Sequence, residues 1–223
     1  TARLSHRLNR PGAGYLRDRF DRIVVATYAR TNDVLAKLGC PIAPYKFQVV
    51  EKPIVRLPDE FRGQSIVVID GPFGCIDPMD DGEFHVLGHV TKTIHAENVG
   101  MGADIPAYLE NMIDRAATPD WAYSRFRAVA DDLGRYVPGV EKAEHIASAL
   151  TVRAVLAGVE KTDARPTLVE RMDGQVIKVF SGKLGTAVTA AREVVGMVEE
   201  GSAREAIRES VEGLRELGMM GAA

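Results

Sequence analysis

The residues best suited to chemistry lie in a glycine-containing stretch near the C-terminal end of the sequence. A run of Val and Ile precedes the stretch and an Ala- and Val-rich helical pattern follows it. Glycines let a ligand approach the backbone, and the first amides of a helix carry unpaired N–H groups and partial positive charge. The pattern therefore suits an anionic or electron-rich group, but it equally fits a tight turn with a surface lysine. The residues concerned are Gly182, Lys183, Leu184, Gly185 and Thr186.

Two other stretches are chemically informative. The apolar run 22–28 ends in Ala26-Thr27-Tyr28 and, lacking alternation, predicts a strand buried on both faces. Ligands collect beyond the carboxyl ends of strands in parallel sheets. Arg165 precedes Pro166, which holds its backbone extended, and a guanidinium suits a carboxylate. Taken singly, these stretches also fit a core strand without a ligand and a surface arginine.

Three histidines, His85, His89 and His95, raise the question of a metal site. No Cys or acidic residue completes a convincing ligand set, although Glu83 and Glu97 are near in sequence. Histidines in strands more often belong to packing or polar networks, so the sequence predicts no metal. There is also no GxSxG elbow and no phosphate-binding GxxxxGK[ST], so acyl-transfer and P-loop chemistry lack support.

Composition narrows the class of protein. The chain has 223 residues, a net charge of -3 and no broad basic excess, which disfavours nucleic acid as a partner. No apolar run approaches the roughly 18 residues of a membrane span, and the first residues lack the apolar core of a secretory signal. Cys40 and Cys75 form no CxxC, which favours reduced thiols, although a disulfide between them stays open. We expect a cytoplasmic protein.

Residue periodicity predicts a mixture of strands and helices, which is typical of α+β or α/β folds. Residues 1–20 are predicted to be a polar loop or a ragged end. Strands are predicted over 45–57, 65–69, 84–90 and 143–157, and a hairpin over 167–172 and 175–180; residues 91–97 are predicted to pair with the strand 84–90. Helices are predicted over 33–38, 105–115, 119–134, 184–200 and 203–217, the first of them capped by Thr31.

Because of the order of these stretches along the chain, the sequence resembles the C-terminal region of the FAD-dependent oxidoreductases of the D-amino-acid-oxidase-like superfamily. The resemblance runs from about residue 22 to about residue 195 by pattern reading. Four stretches carry it: Ile23-Val24-Val25-Ala26-Thr27-Tyr28-Ala29; Asp70-Gly71-Pro72-Phe73 with Asp77-Pro78; Asp163-Ala164-Arg165-Pro166; and Phe180-Ser181-Gly182-Lys183-Leu184-Gly185-Thr186.

The resemblance implies a fold and a cofactor. The fold would be α+β with an α/β remnant: a partial FAD-binding sheet from residues 1–42 and 172–223, and a mixed or antiparallel substrate-binding sheet from 43–171, with flanking helices. The activity would be FAD-dependent oxidation of a small amine or amino-acid-like substrate. Lys183 would stabilise the negative charge of reduced flavin, and Arg165 would bind a substrate carboxylate. The cofactor-binding residues would be Ala26, Thr27, Gly182, Lys183, Leu184, Gly185 and Thr186, while Tyr28 stands where the family has Gly.

The family's GxGxxG turn, which binds the ADP half of FAD, has no counterpart in residues 1–21. We expect neither a strand before Pro11-Gly12-Ala13-Gly14 nor a helix after it. We therefore expect a fragment or natural split half, inactive alone, whose partner is the missing segment or another chain, with an apolar surface exposed where that segment would pack. Two alternatives stay open: a cofactor-free binding subunit of the same fold, and a metal-dependent enzyme built on the three histidines.

Overall fold

The computed structural model describes residues 13–69, 73–80, 82–158 and 165–216, with side chains described as far as residue 201 in the last helix. The fold is α+β, as predicted. Its helices are α1 (Ala13–Arg19), α2 (Thr31–Lys37), α3 (Ala107–Glu110), α4 (Phe126–Gly134) and α5 (Ala187–Glu216); its strands are β1 (Ile23–Val25), β2 (Tyr45–Arg56), β3 (Ile66–Val67), β4 (Gly74–Pro78), β5 (Phe84–His89), β6 (Ile94–Gly100), β7 (Glu144–Leu156), β8 (Leu168–Arg171) and β9 (Val176–Phe180).

The chain divides into two compact units. The discontinuous unit comprises Thr1–Ala43 and Gly158–Ala223, and the continuous unit comprises Pro44–Ala157. The first boundary lies one residue from the predicted one. The second lies at 157/158 instead of 171/172, because β8 pairs antiparallel with β9 and so belongs to the discontinuous unit.

A three-stranded sheet of order β1-β9-β8 forms the centre of the discontinuous unit. β1 runs parallel to β9, with Ile23 opposite Val176 and Val25 opposite Lys178. The predicted hairpin is confirmed as β8 and β9. Two apolar clusters cover this sheet. In the first, Ala190, Val194, Met197 and Val198 of α5 pack on Val169 and Ile177. In the second, Leu35 of α2 and the following Leu38 and Cys40 pack with Val25 and Val176.

Several predictions for this unit were wrong. β1 is not buried on both faces, since Val24 is 45% exposed on what is an edge strand. The helix predicted over 33–38 starts earlier, at Thr31, so Thr31 lies inside α2 and does not cap it; Arg30 is the cap residue. The two helices predicted over 184–200 and 203–217 are one helix, α5, preceded by a 3-10 turn over Leu184–Thr186.

A helix, α1, forms where a polar loop was predicted, and Arg17 fixes it. The Arg17 guanidinium donates to the Leu38 carbonyl at 3.0 and 2.7 Å and to the Asp173 carboxylate at 2.7 Å. It also donates to the Gln175 side chain at 3.3 Å, and Gln175 donates back to the Arg17 carbonyl at 2.6 Å. Arg17 therefore joins α1 to the end of α2 and to the β8–β9 turn.

The continuous unit is built around β2. β7 pairs antiparallel with β2 along its whole length, while the other edge of β2 pairs with β6 over residues 45–50 and with β5 over 54–56. Pro53 lies in the gap between those partners, where its missing N–H costs no ladder hydrogen bond. The strand predicted to pair back on β5 is β6, and the predicted pairing was wrong because β6 pairs with β2.

The predicted helices of this unit were too long. The 105–115 pattern yields only α3, because Ile113 forms a β-bridge with Leu150. The next helix starts at Phe126, not Pro119. The predicted buried strand 65–69 reduces to β3, with Val67 60% and Ile69 75% exposed. α4 covers the sheet through an apolar core that includes Phe126, Val129, Ala130 and Leu133 with Val55, Ile76 and Leu87.

Within the residues that the structure describes, no helix is long and apolar enough to cross a membrane. Cys40 and Cys75 are both free thiols, as the sequence favoured. Residues 70–72 of the predicted turn lie outside the described residues, as do Asp163 and Ala164 of the segment before β8.

Candidate functional site

The parallel pairing of β1 with β9 brings the predicted site residues to one place. Because adjacent parallel strands end at the same sheet edge, the segment after Val25 and the segment after Phe180 leave the sheet side by side. We call this place the carboxyl edge. Ala26 and Thr27 follow β1 there, and Lys183 follows β9; all three are exposed.

Gly182 is required by the chain itself. A Cβ at this position would lie 2.0 Å from the Arg165 carbonyl oxygen and 2.6 Å from that of Pro166. Real Cβ atoms do not approach backbone oxygens so closely, so no other residue fits without moving the main chain. This glycine therefore admits the segment 165–166 and brings Arg165 to the carboxyl edge, while its contact with a cofactor stays a prediction.

A directed chain of hydrogen bonds holds the turn after β9. The Gly182 N–H donates to Thr167 Oγ1 at 3.0 Å, and Thr167 Oγ1 lies 2.5 Å from Thr186 Oγ1. The Thr186 hydroxyl donates to the Lys183 carbonyl at 2.7 Å. Since each hydroxyl has one proton, Thr167 must be the donor to Thr186. Sequence reasoning missed Thr167 as a site residue, and no motif at that position pointed to it.

Gly185 differs from Gly182 because its surroundings are open. A Cβ at Gly185 would meet no atom of the described chain within 4 Å. The neighbouring Leu184 is 91% exposed and Val188, one helical turn further, is 63% exposed. The turn before α5 thus presents backbone and apolar side chains outward, beside the amino end of a helix with no acidic residue in its first turn. This arrangement can accept a flat or anionic group against the backbone.

Tyr28 has a backbone conformation that favours glycine. Its φ is +49°, in the left-handed region that costs most L-residues free energy. The carboxyl edge therefore contains a turn of the kind that Gly would make, occupied by a half-exposed Tyr.

The side chain of Arg165 is half-buried, and its backbone packs against Gly182. The structure thus brings Arg165 together with the glycine turn in one unit. Arg165 and Lys183 are the two cationic residues that were predicted at the site.

The three histidines make contacts with different partners. His85 Nε2 lies 3.0 Å from the Phe61 carbonyl oxygen, His89 Nε2 2.8 Å from an Asp132 carboxylate oxygen, and His95 Nε2 2.7 Å from a Glu51 carboxylate oxygen. Among the described residues no group of three or more His, Cys, Asp or Glu side chains is placed to hold a metal ion.

The two thiols are poor nucleophiles. Burial, together with the hydrogen bond to Asp77, raises the pKa of Cys75 to about 11, and burial beside Asp173 raises the pKa of Cys40 above its ordinary value. Both thiols are therefore protonated at neutral pH, which disfavours covalent chemistry through either cysteine.

No family model matches the sequence, and no curated protein matches it. Solved structures do match. Glycine oxidase from Geobacillus kaustophilus is 18% identical, with a TM-score of 0.48, over 80% of this chain and 41% of that one. L-proline dehydrogenase from P. horikoshii is 19% identical, with a TM-score of 0.43, over 72% of this chain and 37% of that one. The chain spans about two fifths of the length of these structures.

Proposed function

We propose that this chain is the C-terminal part of a FAD-dependent oxidoreductase of the amino-acid-oxidase-like kind, acting on a small amine or amino-acid-like substrate. The carboxyl edge carries the proposal. Seven candidate cofactor-binding residues, distant in sequence, lie at the end of one parallel strand pair, as the sequence resemblance requires. They are Ala26, Thr27, Gly182, Lys183, Leu184, Gly185 and Thr186.

The residues present fit a flavin at this edge. Gly185 leaves open space at the backbone, where a side chain would stand in the way of a flat ring. The turn it belongs to is fixed by Thr167 and Thr186, so the backbone is held in place before a ligand arrives. The flavin would supply the acceptor for a hydride from the substrate.

The chain's own residues would bind and orient. The backbone of residues 182–186 and the amino end of α5 would lie against the electron-rich edge of the cofactor. Lys183 would stabilise negative charge there, and Arg165 would hold a substrate carboxylate by paired N–H donors. No residue of the chain is assigned as an acid or a base.

A FAD titration tests the proposal. The purified chain is titrated into FAD while flavin fluorescence and the visible absorption bands are followed. Gly185→Val should weaken binding at least about tenfold, which corresponds to about 1.4 kcal/mol, because the side chain fills the open space. Gly174→Val is the matched control, since Gly174 is equally open but lies in the turn at the other end of β9; it should bind FAD like the unaltered chain.

A cofactor-free binding subunit of the same fold is the second candidate, and Tyr28 favours it. Tyr28 puts a half-exposed ring where the resembled family has glycine. Equal binding of FAD by Gly185→Val and the unaltered chain would count against the flavin proposal and favour this candidate.

A further inference from the structure

A fully buried carboxylate joins three elements of the continuous unit. Glu51 lies on β2 and is 0% exposed. Its Oε2 accepts from His95 Nε2 of β6 at 2.7 Å and from the Arg125 backbone N–H at 2.9 Å. Its Oε1 accepts from the Ser124 hydroxyl at 2.5 Å and from the Ser148 hydroxyl of β7 at 2.6 Å. We call these four donors and Glu51 the Glu51 cluster.

The hydrogen-bond geometry defines a charged carboxylate. Two donors address each oxygen, and an ionised carboxylate is the form that accepts from all of them. The only proton of the Ser148 hydroxyl goes to Glu51, so His145 Nε2, 2.9 Å from Ser148 Oγ, must be the donor in that contact. A proton on Glu51 would face a donor at either oxygen and displace at least one of them.

The cluster fixes residues 118–125, which connect the region of α3 to α4. At the start of this segment, Thr118 makes two backbone hydrogen bonds of 2.9 Å with Ser148. At its end, Ser124 and Arg125 bind Glu51 directly. Between them the Trp121 ring lies 5.0 Å from the ring of His95, whose side chain is 2% exposed. Glu51 therefore holds the segment directly at 124–125 and reaches Trp121 only through the His95 ring.

We propose that Glu51 is an acid-operated latch: it fixes residues 118–125 to the sheet while it is ionised and releases them when it takes up a proton. The latch is a conformational device of this fold, independent of the proposed flavin site.

The charged groups around Glu51 determine whether acid strengthens or weakens its hydrogen bonds. His95 faces it from β6, His145 reaches it from β7 through Ser148, and Arg125 faces it from the segment, with its guanidinium bound to the Ile94 carbonyl. Protonation of Glu51 removes the negative charge that all of these donors face, so their hydrogen bonds to it lose the assistance of that charge.

The pKa of Glu51 has the matching direction. Burial alone would raise it, but the donors His95, Ser124, Ser148 and Arg125 outweigh burial and lower the pKa of Glu51 below its ordinary value. A depressed pKa gives stability that is complete above the unfolded value, about 4.3, and is lost as pH falls through the folded value. The latch is thus closed at neutral pH and opens in acid.

Hydrogen exchange and the emission of Trp121, the only tryptophan of the chain, test the latch on the full chain. Exchange is corrected for its intrinsic dependence on pH. As pH falls below the ordinary pKa of a glutamate carboxyl, about 4.3, amides of residues 118–125 should lose protection at least tenfold and the emission should move to longer wavelength. Amides of β2 should keep their protection.

Three variants decide the assignment. Glu51→Gln should loosen the segment at neutral pH and abolish the acid step. Ser124→Ala removes one donor and leaves the charge, so the step should move to higher pH. Glu97→Gln is the matched control on the same sheet, because Glu97 is an exposed carboxylate bound to Gln48. In this variant residues 118–125 should lose protection at the same pH as in the unaltered chain.

The latch is wrong if residues 118–125 lose protection only together with β2, or if Ser124→Ala opens at the pH of the unaltered chain. Should Glu51→Gln fail to fold, Ser124→Ala still gives the decision, since it keeps the ionised carboxylate and three of its donors.

Discussion

At the scale of the residue, two positions at the carboxyl edge are constrained by backbone conformation and backbone packing. Tyr28 has a left-handed φ of +49°, and Gly182 lies against the carbonyl oxygens of residues 165 and 166. Neither constraint can be read from residue type, because each depends on a neighbour that the fold supplies.

The strain at Tyr28 can be measured. We expect Tyr28→Gly to be more stable than Tyr28→Ala by about 1 kcal/mol, because glycine adopts the left-handed conformation without cost. Comparing the two variants cancels the loss of the ring. At Ala29, whose φ is not positive, the order should reverse, with Ala29→Gly less stable than the unaltered chain by about 0.5–1 kcal/mol. Urea unfolding gives both differences, and equal stability of the two Tyr28 variants would refute the strain.

The ion pair of Arg17 and Asp173 predicts a dependence on pH. Burial acts to raise the pKa of Asp173, but the Arg17 guanidinium and the N–H groups of Gln175 and Val176 lower it to about 2. We expect Asp173→Asn to reduce the free energy of unfolding by about 1 kcal/mol at neutral pH. The depressed pKa means that this difference shrinks as pH falls from about 4 to about 2.

Urea unfolding at several pH values measures the stability that Asp173→Asn loses. Asp33→Asn is the control, because the Arg30–Asp33 pair is 3.4 Å apart and half-exposed at its carboxylate; it should cost less than about 0.5 kcal/mol. A loss for Asp173→Asn that is the same at every pH would contradict the assignment to charge.

At the scale of the element, the turn between β9 and α5 depends on Gly182. Gly182→Ala should destabilise the discontinuous unit by about 3 kcal/mol or more, because backbone atoms of residues 165–166 must move to admit a Cβ. Gly185→Ala has open space and should stay within about 1 kcal/mol of the unaltered chain. Thermal unfolding compares them, and similar melting temperatures would show that the turn adapts.

Sequence predicted the elements that are set by local signals. The long strand β2 and the β8–β9 hairpin were found from β-branched residues and the Asp173-Gly174 turn, and β7 was predicted as a strand although its apolar residues fit neither the helical nor the strand period cleanly. The helix predicted over 105–115 is shortened to α3, because Ile113 pairs with Leu150 of β7, a contact that no local pattern contains. Likewise, only the fold brings the turn after β1 beside that after β9, and no sequence motif pointed to Glu51.

At the scale of the molecule, the continuous unit has what an independent domain needs. Residues 44–157 form one uninterrupted segment with its own sheet and a core between α4 and that sheet. We expect this segment, expressed alone, to unfold cooperatively in urea, with Trp121 emission and far-ultraviolet circular dichroism giving the same midpoint. Residues 158–223 alone lack α1 and β1 and should show no such transition. Non-coincident midpoints for 44–157 would mean that it depends on the rest of the chain.

The pairing of β1 with β9 also fixes an order of events during synthesis. Residue 23 must wait for residue 176, about 150 residues later, which takes roughly 8–30 s at ribosomal rates. Every strand partner in residues 44–157 has by then left the ribosome, so the continuous unit can be complete while β1 is still unpaired. An Ile-Val-Val strand left without a partner is a site for chaperone binding or aggregation. Slow translation downstream of residue 157 should therefore lower the yield of folded protein.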